Sequence, residues 1–198
     1  IDFSVRLQSE LLVFHFEQHS DVPAVEALFD DGVRRMLDYS ENRNLTLGME
    51  NIEIDPLAYV TSSVKRLDHP NLCMVLDVGH AFLSETYYQK NFLESVKAAS
   101  PFIRHIHLSD NFGRFDSMRL ENFDLYRAAS YTNRLSLGRG DLNLPPGWGT
   151  LPFPDVIGAL NNFHGIMVIE YYHDKYLEFN KDILRQTKEL ITPFCKKT

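Results

Sequence analysis

Five short apolar runs punctuate the chain: Leu11 to Phe16, Leu45 to Glu50, Leu72 to Asp77, Ile103 to Leu108 and Ile166 to Glu170. Each has the length of a β-strand and little polar alternation, the pattern of strands buried on both faces in a parallel sheet. Between the runs the apolar spacing becomes helical. Val25, Leu28, Phe29, Val33, Met36 and Leu37 form one stripe behind Pro23, and Leu57, Val60, Val64 and Leu67 form the next. Ser84 is placed to cap a helix through Phe92, Leu93, Val96 and Ala99, and Pro154 opens another over Val156, Ile157 and Leu160. The tail from Tyr176 repeats the pattern through Ile183, Leu184, Leu190 and Ile191.

Strands alternating with amphipathic helices predict repeated βα units of roughly 30 residues and an α/β fold. A full (β/α)8 TIM barrel takes about 250 residues. The 198 present accommodate about five βα units, strands 4 to 8 of such a barrel, in a single domain over 1–198. The chain opens on Ile1, and the stretch before Leu11 has the look of a helix end. The expectation is therefore an N-terminal truncation of about three units, or ~90 residues. One stretch breaks the rhythm: between Asn111 and Phe153 no strong period survives, and Gly138, Gly140, Pro145, Pro146, Gly147, Gly149 and Pro152 cluster. A loop of that length in a compact domain is usually functional, here a lid over the strand ends.

Composition, with 44% hydrophobic and 24% charged residues, is that of a globular domain and changes little. Charge narrows the partners: a net −7 lacks the concentrated Lys and Arg excess of a phosphate-backbone binder, which disfavours nucleic acid. No apolar stretch approaches the ~20 residues of a membrane span. Two cysteines, Cys73 and Cys195, form neither a disulfide framework nor a zinc knuckle and point to the reducing cytoplasm. A small molecule is the expected partner, and the sheet edges left by missing strands are compatible with a homo-oligomer.

Chemistry-bearing residues stand at or near the ends of the apolar runs: Glu50, Asp77 and Glu170 end theirs, and His15 and His107 fall near the ends of theirs. In a parallel barrel these ends converge on one mouth. A lone carboxylate there commonly caps a helix or joins a hydrogen-bond network. Glu, Asp, His and Glu on four successive runs would crowd like charges, which one divalent cation relieves most simply. Three carboxylates and an imidazole are an oxygen-rich set that suits Mn²⁺, the ion favoured here, and also Mg²⁺, Co²⁺ or Zn²⁺.

The segments Met49-Glu50-Asn51, Leu76-Asp77-Val78-Gly79-His80-Ala81 and His105-Ile106-His107-Leu108-Ser109-Asp110-Asn111 resemble successive signatures of the xylose-isomerase-like barrel superfamily. Leu137-Gly138-Arg139-Gly140-Asp141 and Val168-Ile169-Glu170 continue them in order. That superfamily contains sugar and sugar-phosphate isomerases, ketose 3-epimerases, inosose dehydratases and metal-dependent abasic-site endonucleases. The resemblance implies that Glu50, Asp77, His107 and Glu170 ligate the metal and that His80 points into the pocket. His105, two residues before His107 and on the same face, is expected to be a packed, hydrogen-bonded core histidine. Asp110 is placed to orient an imidazole from behind. Arg139 stands where many relatives carry an acidic residue, and it and Arg114 are candidates for a substrate phosphate or carboxylate, with solvated loop arginines as the alternative.

On that resemblance Glu50 and Glu170 are the proton-transferring pair of an isomerase or epimerase acting on a sugar or sugar phosphate. Loss of hydroxide instead would make the enzyme a dehydratase. The phosphodiesterase alternative, an abasic-site endonuclease, is favoured by His15, which sits where that branch has a histidine ligand. It is disfavoured by Thr132 and Arg134, which stand where the branch has an Asp-x-His pair. His15 otherwise faces substrate. A non-catalytic barrel segment that binds a sugar or a partner is the third alternative. Phe112, Phe115, Tyr131 and Trp148 either close over a sugar or pack the long loop onto the rim.

Overall fold

A computed structural model of the protein describes residues 1–16, 18–160 and 163–192. Helix α1 (Asp2–Arg6) precedes β1 (Leu11–His15), α2 (Pro23–Ser40), β2 (Thr46–Glu50), α3 (Leu57–Leu67) and β3 (Leu72–Asp77). Two helices, α4 (Val78–Tyr87) and α5 (Phe92–Ala99), lead to β4 (Ile103–Leu108). Then come α6 (Met118–Glu121), α7 (Phe123–Ala128), α8 (Tyr131–Leu137), α9 (Phe153–Ala159), β5 (Ile166–Ile169), α10 (His173–Tyr176) and α11 (Asn180–Ile191). The strands lie side by side in chain order and are all parallel, a curled half-barrel with helices between its strands.

Burial follows position in the sheet. β3 is buried along its whole length and β2 nearly so, as unbroken apolar runs require. β5 departs from that expectation, with Ile166 63% exposed, because it is an outer strand among the described residues. Leu37, Leu47, Met49, Val60, Met74, Leu76, Ile106 and Val156 fill the core between sheet and helices.

Two local expectations are corrected. Ser84 does not begin a helix; it is buried inside α4, its hydroxyl donating to the Ala81 carbonyl. Asp77 caps α4 through the His80 amide, and Asn91 caps α5 through the Glu94 amide. Helix α4 escaped notice because most of its faces are buried, which erases the amphipathic period. The stretch from Asn111 to Phe153 is likewise not a plain loop, since it folds as α6, α7 and α8 before a strap. Helices of four to seven residues are too short to display a 3.6-residue period. Its aromatics pack the rim: Phe115 on Tyr87, Tyr131 on Tyr172, Trp148 on Tyr176 and Phe179, and Phe112 over Gly138. Cys73 is a buried free thiol, whereas Cys195 lies outside the described residues. Among the described residues no helix is long and apolar enough to cross a membrane.

Glu85 ties α3, α4 and α5 together. It is buried, one carboxylate oxygen accepting the Leu57 amide at 2.7 Å and the other the Ser95 hydroxyl at 2.6 Å. Glu85→Ala strands a buried helix-start N–H and a hydroxyl. It is expected to cost about 2–4 kcal/mol in urea unfolding, at ~1–3 kcal/mol per unpaired group. A loss under about 0.5 kcal/mol, the level of an ordinary surface change, would contradict that role.

Candidate metal centre

Strand register alone places the chemistry on one face. Glu50 on β2 is level with Val75 on β3, Asp77 lies two residues on and is level with His107 on β4, and His107 is level with Val168 on β5. Glu170 lies two residues beyond Val168, just past the strand, where its N–H still extends the ladder to the Leu108 carbonyl at 3.0 Å. Residues level or two apart share a face. Glu50, Asp77, His107 and Glu170 therefore all point to one side of the sheet, and each offers a ligand atom within 4.8 Å of the others.

Contacts in the ring are short. His107 Nδ1 lies 2.9 Å from Glu50 Oε1 and 2.8 Å from Glu170 Oε2. Burial alone would lower the His107 pKa, but hydrogen bonds to Glu170 and Glu50 push it up to about 10. The His107 contact in turn holds the Glu170 carboxyl below its usual range. Asp77 is fully buried, and that burial pushes its carboxyl up to about 6 against the pull of His80. One of its oxygens accepts the His80 amide at 2.7 Å and the Ser109 hydroxyl at 3.2 Å; the other, Oδ2, is buried without a partner.

Neighbouring residues hold these groups in place. Asn51, absent from the sequence-based candidates, clamps the Asp77 backbone, accepting its N–H at 2.9 Å and donating to its carbonyl at 3.0 Å. Gly79 must lack a side chain, since a Cβ there would overlap the Ser109 hydroxyl. His80 lies beside the ring, Nδ1 at 3.1 Å from the Asn51 carbonyl and Nε2 at 3.5 Å from Asp141. Burial opposes a charge on its ring, yet Asp77 and Asp141 raise its pKa well above the usual histidine value. His15 stands outside the ring with Nε2 3.7 Å from Glu50. His105 is half-buried and packs edge-on against His107.

The role of Asp110 changes, and neither candidate arginine contacts the ring. Asp110 does not orient an imidazole: its carboxylate accepts the backbone amides of Asn111, Gly147, Gly149 and Leu151, pinning the strap to the end of β4. A carboxylate on a strand end answers the nearest unpaired N–H groups, here those of a Gly-rich turn. Arg139 turns outward to Asp116 at 3.5 Å, and Arg114 is exposed; neither joins the ring. Arg134, on α8, is half-buried, lies over the Tyr126 ring and reaches the Tyr172 hydroxyl at 3.5 Å.

The donor set fits a divalent cation. Ligand atoms about 2.0–2.6 Å from one ion lie at most about 4–5 Å apart, the span observed, and Asp77 Oδ2 is an unpaired acceptor aimed at no protein donor. The family model for the xylose isomerase-like TIM barrel matches residues 1–194. The chain belongs to this family. No curated protein matches it. Among solved structures it is similar to an IOLI protein with a bound zinc atom, at TM-score 0.72 and 15% identity over 99% of this chain and 68% of that one. The probable 3-DHS dehydratase AsbF from Bacillus anthracis is similar at TM-score 0.66 and 17% identity, over 96% and 66%. D-psicose 3-epimerase from Clostridium cellulolyticum H10, crystallised with D-tagatose, is similar at TM-score 0.58 and 16% identity, over 85% and 52%. This member of the xylose isomerase-like family thus spans 52 to 68% of the length of these three proteins, and enzymes of more than one reaction class share its fold.

A histidine pKa raised from 6.5 to about 10 supplies stability fully present below pH 6.5 and lost as pH rises through 10. The metal-free protein should therefore lose stability between about pH 7 and 10, and His107→Gln should flatten that part of the profile in urea unfolding. Equal slopes in the two proteins would contradict the assignment.

Proposed function

We propose that this protein provides the metal centre and proton-transfer groups of an isomerase or epimerase acting on a polyhydroxy carbonyl compound such as a ketose. The observation that carries the proposal is the convergence of Glu50, Asp77, His107 and Glu170 at the C-terminal strand ends, where barrel enzymes of this architecture do their chemistry. Manganese is the ion we favour, because three carboxylates and one imidazole form an oxygen-rich set. When bound, a divalent ion supplies Lewis-acid polarisation of the substrate carbonyl and its neighbouring hydroxyl.

The residues divide the remaining work. Glu50 and Glu170 are the first and last members of the ring in strand order, which supports assigning them to the two sides of a substrate. Glu50 is buried, whereas Glu170 is about half exposed at the rim. One carboxylate removes the proton from the carbon next to the carbonyl and the other returns one, work for which partly dry carboxylates are suited. Return to the opposite face of the same carbon gives epimerisation; return to the former carbonyl carbon, with the neighbouring hydroxyl proton passing to the old carbonyl oxygen, gives isomerisation. His80 lies where it can hold a substrate hydroxyl, its imidazole fixed by the Asn51 carbonyl and Asp141.

Two outcomes test this. Wild-type protein should retain one Mn²⁺ through equilibrium dialysis, and Glu50→Ala combined with Glu170→Ala should retain none; stoichiometric Mn²⁺ in the double variant would eliminate the site. With Mn²⁺ and a panel of ketoses in D₂O, NMR should show deuterium entering the carbon next to the carbonyl. Glu50→Gln and Glu170→Gln should each slow uptake by about 10²–10⁴. Absence of exchange from every ketose in a folded, metal-loaded protein would remove the proton-transfer reading.

A further inference from the structure

We propose that the segment from Arg114 to Arg139, which carries α6, α7 and α8, is a gate at the mouth of the metal centre, latched to the rim by the Glu53–Arg119 ion pair. The inference rests on the metal-centre reading above and deepens it, by naming what controls passage into and out of that site.

The segment is an excursion closed at its base. Gly113 and Gly140 bound it with left-handed backbone, φ 65° and 79°, and the Gly140 N–H donates to the Arg114 carbonyl at 2.7 Å. Arg139 faces Asp116 across the same stem at 3.5 Å. Ends tied to each other let the segment swing as one body, with the backbone change taken up at a few terminal residues. Little burial holds that body down. Tyr126 is the one buried residue of its three helices, and regions with few buried apolar contacts open locally well below the free energy of global unfolding.

Its attachments span the mouth. On one side the Arg119 Nε–H donates to Glu53 Oε1 at 2.7 Å; Glu53 is buried and lies three residues past Glu50. On the other side Tyr131 packs on Tyr172, and its hydroxyl lies 2.7 Å from that of Tyr176, in the stretch that follows Glu170. The segment thus bridges the loops beyond the first and last members of the ring, and just past its end Asp141 faces His80 at 3.5 Å. Among the described residues Glu53–Arg119 is the one ion pair that joins the segment to the rest of the chain. A hydrogen bond between charged partners, one of them out of water, is a stronger tie than the neutral Tyr131 contacts opposite. Arg119 is prepared for it, its guanidinium lying 4.6 Å from the Phe123 ring centroid and 5.7 Å from that of Tyr126.

The test pairs hydrogen–deuterium exchange in the metal-free protein with the rate at which the Mn²⁺-loaded protein loses its ion to excess EDTA. In wild type the amides of the segment should exchange by local opening, about a hundredfold or more faster than those of Met74 to Leu76 in β3. Glu53→Gln and Arg119→Gln should each speed both segment exchange and Mn²⁺ release about tenfold to a hundredfold, the loss of one hydrogen bond between charged groups. Exchange in β3 should stay unchanged, which shows that each variant is folded, and the double variant should be no faster than either single one. The two substitutions alter the charge near the ring in opposite senses, so an electrostatic effect on the ion would shift release in opposite directions, whereas a broken latch shifts it in the same direction. Opposite shifts would overturn the gate, as would faster segment exchange without faster release, or wild-type exchange in the segment as slow as in β3. Failure of the folded wild type to retain any Mn²⁺ would instead overturn the metal-centre reading beneath the proposal, an outcome distinct from these.

Discussion

Three carboxylates cannot share a space 4.8 Å across without a positive charge among them, because like charges in a partly desolvated site repel by several kcal/mol at an effective dielectric of about 20. The metal-free protein meets this need with a proton: His107, wedged between Glu50 and Glu170, is held as an imidazolium well above neutral pH. Asp77 meets it differently, burial raising its carboxyl to about 6 while Oδ2 stays unpaired. A divalent ion bound at the same point would displace the His107 proton and give Asp77 Oδ2 its missing partner.

Much of the surrounding structure serves this crowding. Sheet register brings the four residues to one face, and buried hydrogen bonds fix the Asp77 corner: Asn51 holds the Asp77 backbone, Ser109 donates to its carboxylate and Asn111 donates to the Gly79 carbonyl. On the far side, Asp110 gathers four backbone amides and sets the strap that carries Asp141 and Asn143. Fixed geometry at the ring and a fixed wall beside it are what proton transfer between positioned groups requires.

The ring was legible in the sequence because each member stands at or near the end of an apolar run, and strand ends in a parallel sheet converge whatever the loops do. Its companions were not. Asn51 follows Glu50 without any pattern of its own, and its role appears only when β2 and β3 lie side by side. The arginines were left open for a related reason: Arg139 lies inside the signature Leu-Gly-Arg-Gly-Asp and Arg114 well before it, but side-chain direction depends on α8 and a left-handed turn at Gly138. Helix α4 and the short helices α6, α7 and α8 left no periodic trace, the first through burial and the others through shortness. Asp110 looked like a partner for histidine because the strap that claims it lies dozens of residues away in sequence.

The central claim is that one divalent ion belongs between Glu50, Asp77, His107 and Glu170. Anomalous diffraction at the manganese absorption edge, from crystals of the Mn²⁺-loaded protein, tests it most directly. The account predicts a single strong peak about 2.0–2.3 Å from a ligand atom of each of the four residues, the range for such divalent ions, with His107 no longer bridging Glu50 and Glu170. A peak elsewhere, or none at saturating Mn²⁺ with the His107 bridge intact, would contradict it.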